Sequence, residues 1–267
     1  RIFYLVQSFF LSQCRGTRRH TNKDINPQQV LVGTHTLSNL HDTRKIHPIQ
    51  PGFQGVFLEM VFAPLARNHG AISVEKIHGV PTFKCNGTPV DSVKLSFNSL
   101  LDGKPDYVVS GINHGANSSI SVIYSGTMGA AIEGSLHGIP SIGFSLDDYT
   151  ADADFSKAKI IVAKIFQSVL ENGLPPFTCL NVNIPQGKPK GIKVCRQAHG
   201  KWVEEFEKRI DPQGREYHWL SGYFKNFELD STETDIYALE NNYASVVPVT
   251  VDMTCYKTLK EIQNWKF

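Results

Sequence analysis

The order of apolar and polar positions divides the chain into two parts. Before about residue 55 no clear period is visible, and the apolar segment 30–32 stands isolated among polar residues. From Val56 onward, short apolar runs alternate with longer stretches in which apolar residues recur every three or four positions. Gly, Pro, Asn and Ser separate these segments. Strands that alternate with helices in this way predict an α/β fold with a largely parallel, three-layered core.

Local sequence signals set the bounds of the predicted elements. Thr88 and Asp91 form a capping-box pair around Pro89, which predicts the start of a helix. Gly138 and Gly173 follow two amphipathic stretches and are placed to end helices. Along the chain, the pattern predicts strands at 56–63, 106–110, 141–145, 179–183, 192–195 and 244–249, and helices from 88, at 127–137, 154–172 and 256–265.

The segment 196–235 interrupts this alternation and is rich in aromatic residues. Its turn Asp211-Pro212-Gln213-Gly214 has Pro and Gly at positions that suit a type I turn, so we predict a projecting β-hairpin arm. The aromatic residues have two interpretations. They form subunit contacts on an exposed arm, or they pack into a small internal cluster.

Composition narrows the classes of function. A chain of 267 residues with 41% hydrophobic residues suits one large domain. A net charge of +2 argues against binding of nucleic-acid polymers, and no apolar run approaches the length of a membrane span. The five cysteines contain no C-x-x-C pair, which favours a reducing, cytoplasmic location. Cys179 and Cys195 fall within apolar runs, where we expect buried thiols.

The first 29 residues have a composition of their own. They carry five basic residues (Arg1, Arg15, Arg18, Arg19 and Lys23) against one acid, Asp24. We predict a disordered basic leader at 1–29, and a targeting peptide is the alternative. The remainder, 30–265, is predicted to be a single domain.

The candidate chemistry lies between a predicted strand and a predicted helix. The apolar run ends at Ser110, and a polar loop then carries Asn113 and Asn117 around Gly115. Carboxamide oxygens assist in binding hard cations, although such a turn can also simply bond its own backbone. Segment 125–127, Ser-Gly-Thr, opens the helix and offers hydroxyl and N–H groups to a phosphate. Ser125 or Thr127 can equally serve as an N-cap alone.

These motifs, taken together, resemble a known family. Residues 110–117 read Ser-Gly-Ile-Asn-His-Gly-Ala-Asn, and residues 123–127 read Ile-Tyr-Ser-Gly-Thr. The blocks at 87–91, 138–145, 180–185 and 211–219 follow in consistent order. From about residue 61 to 265 the chain resembles the SurE survival-protein nucleotidases.

The resemblance implies a Rossmann-like α/β/α core and hydrolysis of nucleoside 5′- or 3′-monophosphates that depends on a divalent metal, Mg²⁺ or Mn²⁺. It further implies a homodimer or homotetramer joined through the hairpin arm and the C-terminal helix. Asn113 corresponds to a metal ligand of the family. Asn113 and Asn117 are the predicted catalytic residues, and Ser125, Gly126 and Thr127 are the predicted phosphate-binding residues.

The chain departs from the family at the other metal ligands. An Asn-Asp-Asp-Gly loop is absent from the sequence, and segment 30–60 is a degenerate counterpart. In the segment 64–70, Leu65 and His69 replace an Asp and a Ser ligand of the family. Asp42 and His69 are the candidate remnants of the metal site, and together with His41 they offer an alternative, a substitute site for a softer metal such as Zn²⁺ or Mn²⁺. The alternative function is a non-catalytic oligomeric scaffold or phosphate-ligand binder that has lost its metal.

Overall fold

The computed structural model describes residues 2–8, 55–61, 73–77, 80–85, 87–150 and 152–267. The described strands are, in chain order, β1 (Ile2–Ser8), β2 (Gly55–Val61), β3 (Ser73–Ile77), β4 (Val80–Cys85), β5 (Tyr107–His114), β6 (Ser141–Leu146), β7 (Thr178–Ile184), β8 (Gly191–Val194), β9 (Gly200–Val203), β10 (Phe206–Ile210), β11 (Glu216–Leu220), β12 (Tyr223–Asn226) and β13 (Tyr243–Thr250). The described α-helices are α1 (Pro89–Leu95), α2 (Gly126–Leu136), α3 (Ser156–Asn172), α4 (Asp235–Glu240) and α5 (Tyr256–Ile262). Across these ranges, none of the helices has both the length and the apolar character needed to cross a membrane.

Nine of these strands form one sheet in the order β3-β4-β2-β1-β5-β6-β7-β13-β8. Most neighbouring pairs are parallel, and the antiparallel exceptions are β3 with β4 and β13 with β7. The sequence therefore predicted the class of sheet correctly. Parallel strands joined through helices end at the same edge of a sheet, so β5, β6 and β7 bring their following loops together there.

Helices cover both faces of the sheet, as predicted. On one face, buried residues of the sheet and of α3 form the main core cluster, which includes Val109, Ile142, Phe144, Val182, Ala158, Ile165, Phe166 and Val169. On the other face, α2 packs Met128 and Ala131 against Cys179 of β7. Alternate residues of a strand point to opposite faces, so Gly143 faces α2 while its two neighbours face α3. The result is a three-layer α/β/α arrangement.

Gly134 lets α2 approach the sheet closely. A Cβ atom added there would lie 2.5 Å from Ser141 Oγ and 2.8 Å from Val108 Cγ2, both of fully buried residues. We expect Gly134→Ala to destabilise the protein by about 1–3 kcal/mol, although alanine favours helices, because the added methyl overpacks the interface. Urea unfolding measures this difference. Gly129→Ala is the matched control, since its Cβ would meet a single side-chain atom at 3.1 Å, and a loss there as large as at Gly134 would contradict the explanation.

A strand lies within the segment 1–29, for which a disordered leader is predicted. Ile2–Ser8 lies inside the sheet, parallel to both β2 and β5. The apolar run at residues 2–6 is too short for a membrane span but long enough for a strand. Residues 9–54 lie outside the described residues, so the rest of the predicted leader and the domain bounds stay predictions.

The hairpin arm was predicted correctly. Strands β10 and β11 pair antiparallel around a turn in which the Gly214 N–H donates to the Asp211 carbonyl at 2.9 Å. At its base, β9 and β12 form a second antiparallel pair. Trp202 and Phe224 at the base are half-buried and contact each other edge to face, as in the internal cluster. Trp219 is 53% exposed on the hairpin, and the subunit contacts stay a prediction.

An ion pair fixes the base of the arm. Arg196 donates two hydrogen bonds to the Glu228 carboxylate, at 3.0 and 2.7 Å, and the His199 N–H donates a third at 2.6 Å. Hydrogen bonding, first to Arg196 and then to the backbone of His199, lowers the pKa of Glu228 from 4.5 to about 2. Because the folded-state pKa is the lower one, the stabilisation is complete above pH 4.5 and is lost as the pH falls toward 2.

We therefore expect Glu228→Gln to lower stability at pH 7 and to flatten the acid limb of stability against pH. Chemical denaturation at a series of pH values from 7 down to 2 measures both effects. Glu205→Gln, which removes an exposed carboxylate of the arm, is the control and should leave the curve unchanged. An equal slope in wild type and Glu228→Gln would refute the assigned role.

Candidate functional site

The connection between β5 and α2 carries the residues that the sequence singled out. Asn113 lies near the end of β5 and is half-buried. Its Nδ2 donates to the carbonyl oxygens of His114 and Gly115, at 2.8 and 2.9 Å. These bonds use the amide nitrogen, so the carbonyl oxygen is the atom of this side chain that can bind a cation.

Gly115 requires the absence of a side chain. Its φ of +83° is disfavoured for other residues, and an added Cβ would overlap the ring of Tyr149. The Gly115 N–H also donates to the Asp148 carbonyl at 3.0 Å. The loop after β5 is thereby tied to the loop after β6.

Asn117 belongs to a buried polar network. Its Nδ2 donates to Ser145 Oγ at 2.7 Å, and its backbone N–H donates to Asn183 Oδ1 at 2.6 Å. Asn181 Nδ2 in turn donates to the Asn117 carbonyl at 2.8 Å. These bonds anchor the loop over β6 and β7, and the catalytic role of Asn117 stays a prediction. The signal in the sequence was the pair Asn181 and Asn183, which point to one face of an otherwise apolar strand.

The start of α2 is where the sequence predicts phosphate binding. Ser125 is the N-cap, and its Oγ accepts the Met128 N–H at 3.0 Å, which confirms the capping interpretation. Gly126 and Thr127 are the first two residues of the helix. N–H groups in the first turn have no carbonyl acceptor further back in the helix, and the helix dipole favours negative charge at this end. Helix N-termini can in general donate to phosphate oxygens, and the binding roles of Ser125, Gly126 and Thr127 stay predictions.

Asp235 is a structural residue that the sequence analysis missed. It is fully buried at the start of α4, and its carboxylate accepts the N–H groups of Ser119 at 2.7 Å and Ala198 at 2.9 Å. Burial raises its pKa, and the backbone donors oppose that shift. It joins the β5–α2 connection to the base of the arm. The sequence signal was Thr234, which caps α4 through the Tyr237 N–H.

Two neighbouring carboxylates after β6 have opposite electrostatic environments. Burial, and then the charge of Asp148, raise the pKa of Asp147. Hydrogen bonds from the Thr150 hydroxyl and N–H lower the pKa of Asp148. Asp148 is thus held ionised by its own turn, whereas Asp147 is a desolvated carboxylate beside the candidate site.

The described residues do not by themselves make a complete metal site. Within them, no group of three or more His, Cys, Asp or Glu side chains is placed to hold an ion. Asn113 supplies a single neutral oxygen, while hard cations such as Mg²⁺ take several oxygen ligands that include carboxylates. The other predicted ligands, Asp42 and His69, lie outside the described residues, as does His41. No catalytic step is therefore assigned to an ion.

Fold and site together define a three-layer α/β protein in which a glycine-containing loop and a helix N-terminus follow the carboxyl end of one central strand. Comparison with known proteins identifies a family within this class. Residues 55–204 match the family described as Survival protein SurE. The chain belongs to the SurE family.

Individual relatives agree with this assignment. The chain is 51% identical over 197 residues to a protein of Christiangramia forsetii named 5′-nucleotidase SurE, and the alignment covers 73% of this chain and 75% of the relative. It is 40% identical over 237 residues to a protein of the same name from Phocaeicola vulgatus, covering 84% and 92%. The crystal structure of the SurE protein from Aquifex aeolicus superposes with a TM-score of 0.68 over 98% of both chains, at 29% identity.

Proposed function

We propose that this chain is a nucleotidase that hydrolyses nucleoside 5′-monophosphates to nucleoside and phosphate. The observation that carries the proposal is the β5–α2 connection, which begins beside Asn113 and ends at the N-cap Ser125. The curated relatives named 5′-nucleotidase SurE support the same activity. A phosphomonoester needs its negative charge bound and its leaving group oriented, and this connection provides groups for both.

We assign phosphate binding to the first turn of α2. Ser125 fixes the direction of that turn through its bond to the Met128 N–H. The backbone at Gly126 carries no side chain that would keep an oxygen atom away. The partial positive charge of the helix end then stabilises both the bound phosphate and the charge that develops during transfer.

We further propose that the reaction requires a divalent cation, Mg²⁺ or Mn²⁺, as in the family. Asn113 is the described residue suited to contribute an oxygen ligand, and the loop bonds of its Nδ2 fix the orientation of the side chain. When bound, such an ion would supply positive charge to the phosphoryl group.

Two further properties are proposed. The exposed aromatic residues of β10 and β11, together with the largely exposed helix α5, suit contacts between copies in a homodimer or homotetramer. A cytoplasmic location fits the cysteine pattern. Light scattering of wild type and a Trp219→Ser variant tests the proposed oligomer. Removing this exposed aromatic side chain from the arm is expected to change the mass of the oligomer.

A phosphate-release assay tests the activity. Purified protein is incubated with 5′-AMP, 5′-GMP and their 3′ isomers, with Mg²⁺ or Mn²⁺ or with a chelator. We expect release from the 5′ isomers that depends on the added metal. No release above a blank, with binding of inorganic phosphate retained, would instead support the non-catalytic phosphate-ligand binder.

A further inference from the structure

A cleft of about 320 Å³ lies beside the β5–α2 connection. Its lining comes from that connection, from the loop after β6, from the base of the arm and from α4. Ala116 and Ser118, which flank the anchored Asn117, form part of the wall. The cleft is therefore continuous in the chain with the proposed catalytic loop. Its volume lies at the lower end of the range of small-molecule sites, about 300–1,000 Å³.

Three aromatic residues line the cleft. Trp202 and Phe224 come from the paired strands β9 and β12, and Tyr149 comes from the loop after β6. Trp202 is held in place, because its Nε1 donates to Ser121 Oγ at 3.1 Å and its ring meets Phe224 edge to face at 6.2 Å. Rings fixed in this way offer flat surfaces on which a planar heterocycle can stack, and stacking tolerates any base.

Two carboxylates line the cleft, Asp147 and the exposed Glu240 of α4, and Asp147 is the better candidate for choosing among bases because it is less exposed to water. Asp147 is a half-buried carboxylate that lines the same wall as Tyr149. A carboxylate accepts hydrogen bonds at both oxygens, so it matches an edge that presents two adjacent N–H donors. Among common nucleobases, guanine has such an edge, formed by its ring N1–H and its exocyclic amino group. Adenine presents an acceptor at the corresponding ring nitrogen.

We propose that this cleft binds the base of a guanine nucleotide, with Asp147 accepting from the guanine N1–H and amino group and the aromatic residues stacking on the ring. The inference rests on the proposed nucleotidase function, because it places the nucleoside part of the substrate in a cleft lined by the same β5–α2 connection that ends at the proposed phosphate site. Pairing with two donors also relieves the burial penalty that raises the pKa of Asp147.

Binding of nucleosides, which lack phosphate, tests this inference separately from catalysis. Calorimetry measures the affinity of the whole protein for guanosine and for adenosine, in wild type, Asp147→Asn and the matched control Asp152→Asn, whose side chain is exposed and outside the cleft lining. We expect wild type to bind guanosine about tenfold or more tightly than adenosine. Asp147→Asn should reduce the affinity for guanosine to that for adenosine, and Asp152→Asn should change neither.

The two proposals fail in different ways. Equal affinities in wild type, no nucleoside binding, or an Asp147→Asn variant that keeps the preference would overturn the guanine site, even if phosphate is released from nucleotides. A selective guanosine site without phosphate release would leave the guanine site standing and remove the catalytic proposal. The wild-type comparison needs no variant to fold, and thermal unfolding of Asp147→Asn checks that its fold is intact.

Discussion

Asn113→Ala is expected to lower kcat/KM for a nucleoside 5′-monophosphate by about 100-fold or more. The substitution removes the oxygen proposed as a metal ligand. It also removes the Nδ2 donor that holds the carbonyl groups of His114 and Gly115. The proposed ligation acts at the reacting phosphate, so kcat should fall rather than KM alone rise. Steady-state phosphate release at saturating Mn²⁺ measures the change.

Two variants identify what Asn113 contributes. Asn113→Asp keeps oxygen atoms for a cation and loses the Nδ2 donor, so activity above that of the alanine variant would indicate ligation as the larger role. Asn172→Ala is the matched control, because it removes an exposed asparagine whose Nδ2 donates to the Ser168 carbonyl at the end of α3. Near wild-type activity in Asn113→Ala would show that this residue is not part of the catalytic machinery.

Asp235→Ala is expected to lower the free energy of unfolding by about 2–4 kcal/mol. The carboxylate accepts buried N–H groups of Ser119 and Ala198, and each donor left unsatisfied costs about 1–3 kcal/mol. The cost of burying the Asp235 carboxylate, which raises its pKa, offsets part of that loss. Urea denaturation measures the change.

The loss at Asp235 can be distinguished from a general effect of removing charge. Asp230→Ala removes an exposed aspartate in the segment just before α4 and should change stability by less than about 0.5 kcal/mol. Asp235→Asn keeps one acceptor oxygen and should lie between wild type and the alanine variant. If Asp235→Ala were as stable as Asp230→Ala, the proposed link between the β5–α2 connection and the base of the arm would be wrong.

Elements governed by local chemistry were predictable. The capping box of Thr88 and Asp91 is formed in full, with the Thr88 N–H donating to Asp91 Oδ2 at 2.8 Å. The Ser125 cap and the arm turn are equally local, since a few adjacent residues make the bonds that define them. Cys179 is buried as expected, and burial raises its pKa to about 12.

Features that depend on distant partners were not predictable in the same way. Helix α4 is short, and its first residue Asp235 acts on a loop 116 positions earlier in the chain. The cleft is likewise assembled from four separate segments of the chain, so the sequence of a single segment does not predict it. The catalytic and phosphate-binding roles of Asn113, Asn117, Ser125, Gly126 and Thr127 stay predictions, because a resemblance identifies positions and only chemistry measured on the protein identifies roles.

The bonds of the polar network join residues that are far apart in the sequence, and this affects when the candidate site forms during folding. Asn117 bonds to a residue 66 positions later, and Ser119 to one 116 positions later. Contacts this distant form slowly, because the entropy of closing the intervening chain must be lost before they contribute. The β5–α2 connection therefore takes its final shape only after β7 and α4 have docked. During synthesis, a chain that has emerged through α2 already contains Asn113 and Ser125, yet it should not hold them in their final arrangement until the C-terminal segments have folded.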